Sequence, residues 1–68
     1  MNTLDARGLS CPEPVVMIRK AMQSKENAYR IVVDNTTATE NISRFVKNQG
    51  YNVVVTQENG DYVLDITK

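Results

Sequence analysis

The dipeptide Asn59-Gly60 lies between two runs of alternating apolar and polar residues, and this arrangement limits the fold more than any other feature of the chain. Asn-Gly is the sequence most typical of a two-residue turn between antiparallel strands. Residues 51–57 and 61–67 are therefore predicted to pair as a hairpin. One face of this hairpin is expected to meet the core, and its members are Tyr51, Val53, Val55, Tyr62, Leu64 and Ile66.

Two strand–helix units precede the hairpin. Residues 3–6 alternate, and residues 29–34 are nearly continuous and β-branched, as expected of strands. Each run is followed by apolar side chains at helical spacing, in residues 14–25 and again in residues 38–49. The order β-α-β-α-β-β predicts an α+β two-layer sandwich, because strand–helix–strand units favour parallel neighbours and the hairpin adds an antiparallel strand. The four-stranded sheet is thus mixed, with both helices on one face.

The ends of the helices carry recognisable signals. Proline is accepted only in the first turn of a helix. The first helix therefore begins either at Pro12, with Cys11 as its N-cap, or at Pro14, with Glu13 extended. For the second helix, the cap is Thr37, which has capping-box spacing to the glutamate at position 40, or alternatively Thr36. The glycine at position 50 suits a left-handed helix end.

Length and composition exclude several classes of protein. With 68 residues the chain is expected to form one domain, residues 1–68, with a core that supplies about 3–5 kcal/mol. Cys11 is the only cysteine and histidine is absent, so an internal disulfide, a Cys/His zinc site and Cys–His or Ser–His catalysis within the chain are excluded. We expect no cofactor and no metal.

Charge and hydropathy point to a cytoplasmic protein. Eight basic and eight acidic residues cancel, which argues against strong nonspecific binding to nucleic acid or to an anionic membrane. RNA binding is a weak alternative, because the basic residues are scattered. No apolar run approaches the roughly 20 residues that span a bilayer, and residues 1–5 lack the features of a signal peptide. A single free thiol fits a reducing compartment.

Cys11 is the one candidate nucleophile. It lies at the start of a helix, where unpaired N–H groups and the helix dipole favour an anion. The flanking prolines lack an N–H, which leaves Glu13 and Val15 as donors, but they stiffen the backbone and are expected to hold the sulfur outward. The alternative is that Cys11 is buried under the helix as a small apolar side chain. The position of Cys11 in a loop favours the exposed thiol over the buried one.

Charged neighbours are expected to modify this thiol. Arg7 would add a favourable charge if the loop folds back, and Glu13 would oppose a thiolate if its carboxylate turns toward the sulfur. Arg19 and Lys20 lie on the exposed side of the helix, where they would contact an acidic partner or simply face solvent. Asp34 ends a strand near the same sheet edge.

Residues 4–17, LDARGLSCPEPVVM, resemble the signature of the TusA/SirA-like sulfur-carrier family, with its Asp-x-x-Gly-x-x-Cys-Pro-x-Pro core. The resemblance implies that Cys11 accepts a sulfane sulfur from a donor such as a cysteine desulfurase, holds it as a persulfide, and passes it to an acceptor protein. The residues expected to shape this site are Asp5, Arg7, Gly8, Pro12, Glu13 and Pro14.

A relay of this kind needs an exposed sulfur on a rigid protrusion and no second thiol that would close a disulfide. A chain with one cysteine meets the second condition. Residues 33–45 and 49–51 resemble the N-terminal domain of YedF-type proteins, a branch linked to selenium metabolism whose members often carry a second domain. Two alternatives stay open, a selenium-handling variant and a noncatalytic regulatory interaction module. The sequence does not choose among tRNA thiolation and the other sulfur pathways.

Overall fold

A computed structural model of the chain describes residues 2–68 and contains the six predicted elements in the predicted order. Met1, part of the expected domain, lies outside the described residues. The strands are β1 (Asn2–Asp5), β2 (Ala28–Val33), β3 (Asn52–Glu58) and β4 (Asp61–Thr67). The helices are α1 (Glu13–Ala21), which a 3₁₀ turn at Met22–Ser24 extends, and α2 (Thr36–Asn48).

The four strands form one mixed sheet in the order β1-β2-β4-β3. Strands β1 and β2 are parallel, and β4 is antiparallel to both of its neighbours. The prediction of a mixed four-stranded sheet is confirmed. The expectation of parallel neighbours holds for β1 and β2 only, because β4 lies between β2 and β3. Of the two hairpin strands, β4 lies inside the sheet and β3 at its edge. Strand β4 is also the one with two fully buried side chains, Leu64 and Ile66.

Both helices pack on one face of the sheet. The buried side chains of β2 and β4 lie directly opposite one another, in the pairs Tyr29–Ile66 and Ile31–Leu64. Ile18 of α1 and Ile42 and Val46 of α2 join the same cluster and are fully buried. On the other face Arg30 and Asp65 form an ion pair, with 2.6 Å between Nε and Oδ1, and Val54 is exposed. The expected core face is confirmed for Tyr51, Leu64 and Ile66, which are buried. The expectation is wrong for Val55, which is 44% exposed because β3 is an edge strand of the sheet.

The start of each helix differs from the prediction by one or two residues. Helix α1 begins at Glu13 with Pro12 at its N-cap, so Cys11 is not the cap and Glu13 is helical, not extended. Helix α2 is capped by Asn35, whose side-chain oxygen accepts the Ala38 N–H at 2.8 Å. The predicted caps, the threonines at 36 and 37, are both wrong, because asparagine is preferred over threonine at the N-cap and Asn35 is already extended at the strand end.

The predicted turns are confirmed. Asn59 and Gly60 both adopt positive φ, 51° and 84°, as a type I′ turn requires. Gly50 follows α2 with φ of 87°, the left-handed conformation that ends many helices.

We expect the free energy of unfolding to depend on which face of the sheet a valine occupies. Val33→Thr should lose about 1–3 kcal/mol, because Val33 is fully buried and the new hydroxyl would enter the core without a partner. Val54→Thr, the same substitution on a strand residue that is 63% exposed, should change stability by less than about 0.5 kcal/mol. Urea unfolding measures both. Equal losses would contradict the assignment of the core face.

Candidate functional site

The loop that carries Cys11 leaves the sheet where β1 ends. Because β1 and β2 are parallel, their carboxyl ends meet at the same edge. The Ala6 N–H donates to the Val32 carbonyl at 2.9 Å and extends the strand pairing into the loop. The Leu9 N–H then donates to the Ala6 carbonyl at 3.3 Å, and Gly8 adopts φ of 79°. The turn therefore needs the left-handed backbone expected of this glycine.

Asp34 ties this loop to the start of α2. Its Oδ2 accepts the Gly8 N–H at 2.8 Å, and its Oδ1 accepts the side-chain amide of Asn35 at 3.0 Å. These hydrogen bonds, the Gly8 bond first, lower the pKa of the Asp34 carboxyl. The expectation that Asp34 lies near the same edge as the loop is confirmed, and its bond to Gly8 is an addition from the structure. The loop is held to the helix that Asn35 caps.

An ion-pair network holds the base of the loop. The Arg7 guanidinium donates to both oxygens of Asp5 at 2.9 Å and to Asp61 Oδ2 at 3.2 Å. Asp5 Oδ1 also accepts the Arg7 backbone N–H at 3.1 Å. The side-chain bond from Arg7 is the main reason that the pKa of Asp5 falls to about 2. In turn, the bonds to Asp5 and then Asp61 raise the pKa of Arg7.

This network corrects the expectation that Arg7 supplies a favourable charge to Cys11. The guanidinium faces two carboxylates, which attract it more strongly than a thiol does. Asp61 was missed from the sequence. Its role depends on β4 pairing with β2, which brings the first residue of β4 to the carboxyl end of β2, and that strand order was not predictable.

Cys11 is exposed, as its position in a loop predicts. The peptide bond between Cys11 and Pro12 is cis. The Glu13 N–H, expected to be available to the sulfur, instead donates to the Ser10 carbonyl at 2.9 Å. Among residues 2–68, the side chain that donates a hydrogen bond to the sulfur is Asn41, whose Nδ2 lies 3.8 Å from Cys11 Sγ.

Asn41 was also missed from the sequence. It lies in α2, 30 residues from Cys11 along the chain, and is half-buried. The signal that could have located it is its spacing. It follows the buried Ala38 by three residues, which places it beside the apolar face of the helix.

An apolar groove runs beside the loop. Leu9 of the loop and Val16 and Met17 of α1 line a cavity of about 330 Å³, with Glu13 and Lys20 as its charged members. Of the two predicted docking residues, Lys20 lines the groove, whereas Arg19 is exposed outside it. Glu13 faces the groove, and no hydrogen bond joins it to Cys11 among the side-chain contacts of residues 2–68.

The structure also bears on metal binding and on membrane insertion. Within residues 2–68, no three or more cysteine and carboxylate side chains are grouped so that they could hold a metal ion. In the same part of the chain, no helix has the length and apolar character needed to cross a bilayer.

Residues 2–68 match the family model described as Sulfurtransferase TusA. The chain belongs to the TusA family. It is 40% identical over 60 residues to a Methanocaldococcus jannaschii protein provisionally named a sulfur carrier protein, a match that covers 85% of this chain and 80% of that protein. A crystal structure of a SirA-like protein from Desulfitobacterium hafniense superposes with a TM-score of 0.91 at 28% identity, covering 98% of this chain and 96% of that one. The predicted TusA/SirA-like relationship is confirmed, and the chain is a TusA-like sulfur carrier protein.

The network at the base of the loop predicts a specific pH dependence. Because the folded state lowers the pKa of Asp5 from 3.8 to about 2, the ion pair stabilises the fold above pH 4 and is lost as the pH falls through 2. Arg7→Gln should raise the pKa of Asp5 toward 3.8, which an NMR titration of the carboxyl carbon measures. Arg44→Gln, on an exposed residue of α2, is the control and should leave the titration unchanged. If the pKa of Asp5 stays near 2 in Arg7→Gln, the ion-pair network is contradicted.

Proposed function

We propose that this TusA-family chain holds a persulfide on Cys11 and relays sulfane sulfur from a donor protein, such as a cysteine desulfurase, to an acceptor protein. The observation that supports this most is the exposed Cys11 sulfur on a loop held by Asp34 and by the Asp5–Arg7 pair. An atom delivered by another protein needs no enclosed pocket, and an exposed sulfur can meet a donor and an acceptor in turn. Residues 1–68 act as one domain in this proposal.

Each transfer is a displacement at sulfur. The Cys11 thiolate attacks the terminal sulfur of the donor persulfide, a new S–S bond forms on Cys11, and the donor cysteine leaves as a thiolate. Unloading repeats the step with Cys11 as the leaving thiolate. No oxidant is needed, because the sulfane sulfur keeps its oxidation state throughout. The absence of a second cysteine in the chain means that no internal thiol can attack the persulfide.

The proposed site-shaping residues divide into three groups. Asp5, Arg7 and Gly8 hold the loop through the ion pair and the left-handed turn. Pro14 is fully buried and anchors the start of α1 in the core. Two more, Pro12 and Glu13, are exposed next to the sulfur and form the surface that a partner would meet.

Docking is proposed to use the groove beside the loop. Its apolar floor of Leu9, Val16 and Met17 would take an apolar side chain of the partner, and Lys20 would pair with a carboxylate of that partner. Arg19, exposed one residue earlier, would add charge at the edge of the contact. This arrangement allows one surface to serve donor and acceptor in succession.

Three finer statements belong to the same proposal, on location, on the element carried and on the pathway supplied. A single free exposed thiol fits a reducing compartment, so we place the protein in the cytoplasm.

The resemblance of residues 33–45 to YedF-type proteins favours a selenium-handling variant as the second candidate, because selenium can occupy the same terminal position on Cys11. The increment in protein mass distinguishes the two elements. Thiolation of tRNA is one route that such a carrier would feed.

Incubation with a cysteine desulfurase and cysteine should add about 32 Da to the chain, and a reductant should remove it. Cys11→Ser should abolish the adduct. The matched control is the double variant Ser10→Cys with Cys11→Ser, which moves the thiol by one residue within the same exposed loop. It should react with iodoacetamide but not accept sulfur from the desulfurase. Intact-protein mass spectrometry measures the adduct on the parent chain and on both variants. A parent chain that gains no sulfur from desulfurases or small persulfides would contradict the proposal.

Charge reversal tests the docking surface. Lys20→Glu should slow loading by a desulfurase about tenfold, since like charges across an interface repel. Lys47→Glu is matched to it, because each lysine lies in the last turn of its helix. That control should change the loading rate by less than about twofold, the usual effect of a charge remote from the contact. Loading from a small-molecule persulfide should be unchanged in both. Equal rates for the two variants with the desulfurase would exclude the groove as the docking site.

A further inference from the structure

Asn41 makes a contact with Cys11 that the proposed function leaves unexplained. Its Nδ2 lies 3.8 Å from Sγ, and this is the one side-chain hydrogen bond that residues 2–68 give either residue. Within the described part of the chain, this amide neither caps a helix nor bridges two strands. A half-buried carboxamide with a single partner, which is the sulfur, has the placement of a residue that acts on that sulfur.

The contact is held in place from two sides. On α2, the neighbouring Ile42 is fully buried, so the helix cannot turn about its axis without opening the core. On the loop, the bond from Gly8 to Asp34 links the cysteine loop to the residue that precedes the cap of the same helix. A donor fixed before the charge appears loses little free energy to reorientation when it stabilises that charge.

The chemistry of the relay gives this donor a task. A neutral thiol is a weak acceptor, whereas a thiolate accepts a hydrogen bond strongly. In each proposed transfer the attacking or leaving form of Cys11 is the thiolate, so the step begins or ends with negative charge on Sγ. Arg7 does not supply compensating charge, because Asp5 and Asp61 hold its guanidinium. The amide of Asn41 is the polar side chain in place to do so.

We propose that Asn41 is a positioning residue, which orients the Cys11 sulfur and stabilises the negative charge on it in each sulfur transfer. This inference rests on the proposed function, since the charged sulfur is the species that the relay uses. Asn41 forms no bond to the transferred atom and acts through Cys11. Its neutral side chain stabilises the anion less strongly than the charged side chain of a lysine or arginine would.

The test is the rate at which iodoacetamide alkylates Cys11 at pH 7, which needs no donor protein. Asn41→Asp keeps the size of the side chain but replaces the donor with an anion, and should slow alkylation about tenfold. Asn41→Ala removes the donor and should slow it about threefold. Asn48→Asp adds the same charge about 10 Å farther along α2 and should stay within about twofold.

A second pH separates charge stabilisation from a structural effect. Raising the pH to 10 favours the thiolate form of any accessible cysteine, so differences in rate that come from charge stabilisation should shrink to about twofold or less. Thermal unfolding verifies that each variant is folded, and Asn41→Ala carries the test if Asn41→Asp does not fold. Alkylation of the folded Asn41 variants at the parental rate would overturn the role of Asn41. Slowing that persists undiminished at pH 10 would overturn it as well.

Persulfide loading, measured in parallel, distinguishes this inference from the function on which it rests. A parent chain that loads sulfur, with Asn41 variants that alkylate normally, overturns the role of Asn41 alone. A parent chain that never loads sulfur, with Asn41 variants that alkylate slowly, overturns the relay and leaves Asn41 as the partner of the thiol. Slow alkylation together with slow loading in the Asn41 variants supports both.

Discussion

The hydrogen bond from the Gly8 amide to the Asp34 carboxylate fixes the relation between the cysteine loop and the rest of the molecule. It is available only because β1 and β2 are parallel and end at the same edge of the sheet. Asp34 is held in turn by Asn35, which caps α2, so one carboxylate joins a strand, a loop and a helix. The exposed sulfur of Cys11 therefore has a defined position, although no pocket encloses it.

Electrostatic pairing at the site serves the loop more than the sulfur. The basic residue of the motif, Arg7, is held by Asp5 and Asp61, and this pairing keeps the strand end and the hairpin turn together. The thiol is left with a neutral amide as its side-chain partner. A carrier must accept sulfur and also release it, so a site that stabilises the anion only modestly suits both directions of transfer.

Local patterns were sufficient to predict the fold, because each element has its own signal. The Asn59-Gly60 turn and the apolar periodicity of α2 are present as predicted, and the prolines mark the start of α1 to within one residue. The strand order was not predictable, since it depends on which strand of the hairpin buries more apolar surface. The contacts of Asp61 and Asn41 depend on that order and on helix packing, and so neither residue was identified. The cap of α2 differed because Asn35, directly before the two threonines, is the more strongly preferred N-cap residue.

The reversibility of sulfur transfer is the property on which the proposed role depends most directly. The chain should be loaded with ³⁴S on Cys11, freed from its donor, and mixed with unlabelled desulfurase while the mass of each protein is followed. We expect the label to appear on the desulfurase cysteine as Cys11 returns to its unmodified mass, because the exposed persulfide is open to attack by the thiolate of a docked protein. Label that stays on this chain, or that leaves only as free sulfide, would contradict a carrier role.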